Sequence, residues 1–169
     1  MDTFDLRTLS LRAGEVRQER LEVEVAPFVL GGQRYDVNPS VVPLELEVTR
    51  ASGATVFELR LAAHLRGPCM RCLALAEVDV GVAVRELHDA GAPAQDELRS
   101  DYVVEEQLLV GIWARDAIAL EIPEQILCRP ECLGLCPVCG RDLNVEPHEH
   151  IEVGTDPRWA ALEQLRDGI

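Results

Sequence analysis

From Leu21 to His88 apolar and polar residues alternate with a period of two, the pattern of strands that turn one face inward and the other to water. Leu21, Val23 and Val25 alternate with Glu22 and Glu24, and Leu44, Leu46 and Val48 alternate with Glu45, Glu47 and Thr49. Phe57, Leu59, Leu61, Ala63 and Leu65 share a face opposite Glu58, Arg60, Ala62, His64 and Arg66. Val78, Val80, Val82 and Val84 are set in the same way against Asp79, Gly81, Ala83 and Arg85. Ala51-Ser52-Gly53-Ala54 supplies a turn, because Gly takes a positive φ without a Cβ clash. These runs predict an antiparallel β meander or a partly closed barrel.

The pattern changes at 89-DAGAPAQDELRS-100, a polar stretch of small residues with Gly and Pro that reads as a mobile surface loop. Glu105 to Glu121 is then an almost continuous apolar run, broken at Arg115 and Asp116. Its length favours one buried helix over a strand, Pro123 marks its end, and Gly111 counts against it. This helix is expected to cover the open face of the sheet. Asp156-Pro157 has the residues of a helix start, an Asp N-cap followed by Pro at the first helical position, so a short C-terminal helix is expected over Arg158 to Arg166. The fold class is therefore α+β. Residues 1–127 form the antiparallel sheet with its covering helix, and 128–169 form a zinc-knuckle segment and C-terminal helix packed on the same domain.

A chain of 169 residues with 47% apolar composition can bury one substantial core. It contains no uncharged apolar run of about eighteen residues, and Met1 to Asp5 lacks the basic-then-apolar layout of a secretory signal. A cytoplasmic protein without a membrane role is expected. In a reducing compartment, six cysteines point to metal ligation or redox work before disulfides.

Thirty acids against sixteen bases give a formal charge of −14, and every base is Arg. A field of that sign repels phosphate backbones, which excludes sequence-blind DNA or RNA binding by the whole surface and suits a basic protein partner. Arg60, Arg66 and Arg71 are the local exception, a candidate contact to RNA or a partner near the first cysteine pair. Ion pairing with neighbouring acids is the competing reading. Only seven Phe, Trp and Tyr residues are present, too few for a base-stacking sheet.

The cysteines fall at 69 and 72, at 128 and 132, and at 136 and 139, with 147-PHEH-150 beyond them. Two tetrahedral sites take eight ligands, and the six cysteines with His148 and His150 supply that number. The favoured partition puts Cys69, Cys72, Cys128 and Cys132 around one zinc and Cys136, Cys139, His148 and His150 around a second. A single site of Cys69, Cys72, Cys136 and Cys139 comes next, and a local site of Cys128, Cys132, Cys136 and Cys139 third. The knuckle 136-CPVCG-140 is the most specific signal, because a Gly after the second Cys lets the backbone turn and bring N–H donors toward the sulfurs. A site filled by four protein ligands has no position for water or substrate, so such zinc is structural and its binding energy becomes folding energy.

The blocks 69-CMRCL-73, 120-LEIPEQILC-128, 132-CLGLCPVCGRDLN-144 and 156-DPRWAALEQL-165 resemble the YceD family of large ribosomal RNA subunit accumulation proteins, over roughly Leu44 to Leu165. The family's C-x-R-C motif matches Cys69, Arg71 and Cys72, and its CPxCG-x-x-LN motif matches Cys136, Pro137, Cys139, Gly140, Leu143 and Asn144. Where many members carry a further cysteine pair, this chain has His148 and His150. The resemblance implies a bacterial, cytoplasmic ribosome biogenesis factor needed for accumulation of large-subunit ribosomal RNA, partnered by a basic ribosomal protein or a large-subunit assembly intermediate. No enzymatic activity is expected, since a zinc hydrolase or RNA-processing metalloenzyme needs an open metal site with a nearby base. The alternative is a zinc-linked thiol redox switch, in which oxidation of the knuckle ejects the metal.

Overall fold

The computed structural model describes residues 3–93 and 97–150; the helix expected over Arg158 to Arg166 lies outside the described residues. Nine strands and one α-helix follow in the order β1 (Phe4–Asp5), β2 (Val16–Glu24), β3 (Phe28–Leu30), β4 (Gln33–Val37), β5 (Val41–Arg50), β6 (Thr55–Pro68), β7 (Leu75–His88), β8 (Val103–Val104), β9 (Gln107–Leu108) and α1 (Val110–Glu121) among the described residues.

The long strands pair antiparallel in the order β2-β5-β6-β7. These are the four runs whose alternation the sequence displays, and the register matches their apolar faces: Leu46 lies opposite Leu59 and Val48 opposite Phe57, while Leu59 faces Val84 and Leu61 faces Val82. Side chains that meet across strands on one face are what stabilise a sheet. Leu46, Val48, Phe57, Leu59 and Leu65 are fully buried.

The strand pair β3–β4 was not among the predicted elements. It turns at Gly31 and Gly32, both at positive φ, and β4 continues the edge of β6 beyond β5, with Val37 opposite Leu65. No ladder joins β2 to β7 among the described residues, so the sheet stays open and the partly closed barrel is not formed.

The expected helix is present, but it begins at Val110 and not at Glu105. Residues before it form the β8–β9 hairpin, which pairs with β1 through Phe4 opposite Leu108. Val110, Trp113, Ala114, Ala117 and Ile118 recur at helical spacing and are buried over the sheet, as a covering helix requires. Ile122 ends the helix in an extended conformation (φ −64°, ψ 127°), which a residue before proline favours. Around the 89–100 loop, Asp89 N–H reaches Leu98 carbonyl at 2.7 Å, closing the described part of the segment into a turn. No helix among the described residues is long and apolar enough to cross a membrane.

Candidate metal centres

The first cysteine pair occupies the turn between β6 and β7. Cys69 N–H donates to Ala74 carbonyl at 2.6 Å and Leu73 N–H to Cys69 carbonyl at 3.0 Å, closing a tight loop in which Leu73 adopts φ 63°. Both thiols point to one side, where the chain after α1 returns. Met70 N–H donates to Ile126 carbonyl at 2.9 Å, and Cys128 and Cys132 are thereby brought under the turn. Cys69 and Cys132 sulfurs stand 3.8 Å apart, and Cys72 and Cys128 sulfurs 3.6 Å apart. Four thiolates about 2.3 Å from a zinc would be separated by about 3.8 Å, the edge of that tetrahedron, whereas a disulfide needs about 2.05 Å.

The second pair lies in a loop closed by Gly140 N–H to Cys136 carbonyl at 2.8 Å, with Gly140 at φ 73°. Leu135 and Asp142 bridge across it, and Cys136 N–H donates to Arg141 carbonyl at 2.8 Å. His148 Nε2 lies 3.1 Å from Cys139 sulfur, while its Nδ1 donates to Glu146 carbonyl at 2.8 Å, which leaves Nε2 as the free ligand atom. His150 stands edge-on to His148, ring centroids 5.0 Å apart.

The eight predicted ligands thus separate into two sets, Cys69, Cys72, Cys128 and Cys132, and Cys136, Cys139, His148 and His150, with the ligand atoms of each set within 4.8 Å of one another. The two other partitions are not the groupings observed. In the first set Cys69, Cys72 and Cys132 are buried; in the second only Cys136 is. The donor chemistry fits a borderline-soft divalent cation: four sulfurs in one set, two sulfurs and two imidazoles in the other.

The local electrostatics favour thiolate at one position of each set. Burial pushes the Cys69 thiol up, yet the N–H groups of Cys128, Cys72 and Arg71 outweigh it and bring it to about 6. The Cys139 N–H does most to lower Cys136, also to about 6. Burial, followed by the neighbouring thiols, pushes Cys128 up to about 12, the cost of collecting four sulfurs without a cation among them. A bound cation would reverse that penalty.

Sequence reasoning named Arg71 and Asn144 as motif positions but not as supports of the two sets, and it missed Gln125. Arg71 Nη1 donates to Cys132 carbonyl and its Nη2 to Gln125 Oε1, both at 3.0 Å, while its backbone N–H points at Cys69 sulfur at 3.4 Å. Asn144 Nδ2 lies 3.6 Å from Cys132 sulfur, its Oδ1 accepts from Leu133 N–H at 2.8 Å, and Asp142 fixes it. Gly134 runs against Arg71: a Cβ there would lie 3.1 Å from the Arg71 carbonyl oxygen, and its φ is 80°.

Arg60, Arg66 and Arg71 do not form one patch. Arg60 and Arg66 are six residues apart on one strand, about 20 Å. Arg60 pairs with Glu58 at 3.0 Å and Arg66 with Glu77 at 3.4 Å. His64 sits between Asp79 and Glu77 on the same outer face.

Comparison with known proteins bears on the whole chain. An uncharacterized protein of Mycobacterium tuberculosis strain H37Rv is 37% identical over 169 residues, covering 96% of this chain and 80% of its own length. One from Mycobacterium leprae is 30% identical over 129 residues (73% of this chain, 58% of its own length), and the uncharacterized protein YlbN of Bacillus subtilis is 30% identical over 114 residues, 64% of each chain. No solved structure matches. The family model described as large ribosomal RNA subunit accumulation protein YceD matches residues 57–166, a span that takes in most of β6, all of β7 and α1 and the eight clustered side chains, and the chain belongs to that family.

Proposed function

We propose that the protein is a non-enzymatic, cytoplasmic ribosome biogenesis factor, required for accumulation of large-subunit ribosomal RNA, whose knuckle segment after α1 is held in shape by two structural zinc ions. Cys69, Cys72, Cys128 and Cys132 would hold one ion and Cys136, Cys139, His148 and His150 the other. The observation that supports this reading is that the four candidate ligand atoms of each cluster lie within 4.8 Å of one another. Such a centre has no coordination position left for a substrate or a water nucleophile, which supports a binding role over catalysis. When bound, zinc supplies a positive charge that holds the thiolates together and ties the segment after α1 to the β6–β7 turn.

The partner surface in this reading is the outer face of the sheet. It displays Glu45, Glu47, Glu58 and Glu77 with Arg60 and Arg66 among them, a predominantly acidic field suited to a basic ribosomal protein or an assembly intermediate that presents one. Arg71 contributes from the knuckle, by positioning it.

Depletion in the native bacterium tests the function. Large-subunit ribosomal RNA is expected to fall relative to small-subunit RNA, with rescue by the wild-type chain but not by Cys69→Ser. An unchanged RNA ratio on depletion would overturn the role. The competing redox reading rests on the exposure of Cys139. It requires hydrogen peroxide, itself reduced to water, to oxidise Cys136 and Cys139 to a disulfide with release of the ion, and the metal-loaded protein is expected to resist this.

A further inference from the structure

His88 ends β7 at the edge of the sheet remote from the cysteines: it pairs with Thr55, thirteen residues along β6 from the Pro68–Leu75 pair, about 40 Å away. It is only 7% exposed, and its Nδ1 has no hydrogen-bond partner among the described residues. Buried polar atoms are nearly always paired, so a lone one calls for a cause. Here the ring lines a cavity of about 310 Å³, near the lower end of the range for small-molecule sites.

The walls of that cavity are of two kinds. Leu6, Leu9, Leu11 and Val103 are half-buried and continuous with the main core. Arg7, Arg50 and Glu106 supply the charge. Arg7 is already committed to Asp5, through contacts of 2.9 and 2.8 Å. Arg50 donates to the Thr55 hydroxyl at 2.7 Å and makes no ion pair among the described residues. The cavity therefore offers one available guanidinium beside a wall made of apolar side chains and the buried His88 ring.

The rim of the cavity is a tight hairpin turn. Glu105 and Glu106 both adopt left-handed conformations, φ 49° and 61°, in the two-residue β8–β9 turn, and the Glu106 carbonyl accepts from Leu6 N–H at 2.9 Å. A two-residue hairpin turn of this kind requires positive φ at both positions, and this one holds Glu106 at the rim of the cavity.

We propose that this cavity is a binding site for a small organic monocarboxylate with an apolar body. The carboxylate pairs with the Arg50 guanidinium, and the body lies against Leu6, Leu9, Leu11, Val103 and the His88 ring. Phosphate dianions fit less well, because Arg7 is neutralised by Asp5 and the Glu106 carboxylate repels a second negative charge. Nothing in this site depends on the metal centres or on the ribosomal role.

The test follows the imidazole NMR signals of His88, one of four histidines, in the metal-loaded full chain during titration with benzoate and hexanoate. Benzyl alcohol, hexanol and inorganic phosphate serve as comparators. Both acids are expected to shift His88 saturably, the alcohols and phosphate to leave it in place, and Arg50→Gln to weaken acid binding by about tenfold or more. No saturable shift with either acid at millimolar concentration would overturn the site, as would an equal response to alcohol or phosphate, or undiminished binding by Arg50→Gln. Should that variant not fold, the acid and alcohol titrations of the wild-type chain still decide.

Discussion

At Gly67 the absent side chain is what lets Tyr35 in: an added Cβ would collide with the Tyr35 ring, which is fully buried and donates its hydroxyl to Pro68 carbonyl at 2.8 Å. Gly67→Ala is expected to destabilise the fold by about 1–3 kcal/mol, read as a lower urea midpoint at unchanged slope. Sequence alone marked Gly67-Pro68 only as the end of a strand, because its partner is Tyr35, more than thirty residues away. His88 gives the second residue-scale expectation. Burial, with Arg99 next, lowers its pKa, so the folded chain keeps it neutral while the unfolded chain protonates near the ordinary value of 6.5. The group therefore favours folding fully above that pH and loses this contribution as pH falls below it. Urea midpoints of wild type and His88→Phe at pH 7.5 and 5.5 are expected to show a smaller acid loss in the variant; an equal loss would contradict a neutral buried His88.

At the scale of elements, alternation revealed β2, β5, β6 and β7 because each presents one face to the core and one to water. The β3–β4 pair had a readable signal, Gly31-Gly32 between short runs in which Tyr35 and Val37 are buried and Arg34 and Asp36 exposed, but those runs are too short to stand out from a loop. The helix start was misplaced because Gln107 and Leu108 pair with β1. A contact with the far end of the chain overrides a local apolar run. The β8–β9 turn carries its own expectation: with two glutamates at positive φ, replacing them by the Asn-Gly that such turns favour (Glu105→Asn with Glu106→Gly) is expected to stabilise the protein by about 1 kcal/mol. Thermal unfolding should rise by several degrees.

For the whole molecule, the segment after Pro123 has little apolar material to hold it. Leu133, Val138 and Val145 are 59%, 70% and 80% exposed, and its buried residues are Ile126 and cysteines, with Gly134 against Arg71. Its ties are hydrogen bonds to the β6–β7 turn and, in the proposed reading, the ions held by the two cysteine-rich groups. A strong chelator is accordingly expected to raise amide exchange across 128–150 while β5, β6 and β7 stay protected. The two groupings were legible because C-x2-C turns are local and eight candidate side chains suit two clusters of four. Arg71 and Asn144 stood out only as motif positions and Gln125 not at all, since the hydrogen bonds they make exist only once distant segments meet. The central claim, two structural zinc ions per chain, is tested most directly by elemental analysis of protein purified without chelator, alongside Cys69→Ser and His148→Ala. Two zinc ions per chain are expected, with each substitution removing one. A chain free of zinc, or a single zinc that survives in His148→Ala and is lost in Cys69→Ser, would contradict it.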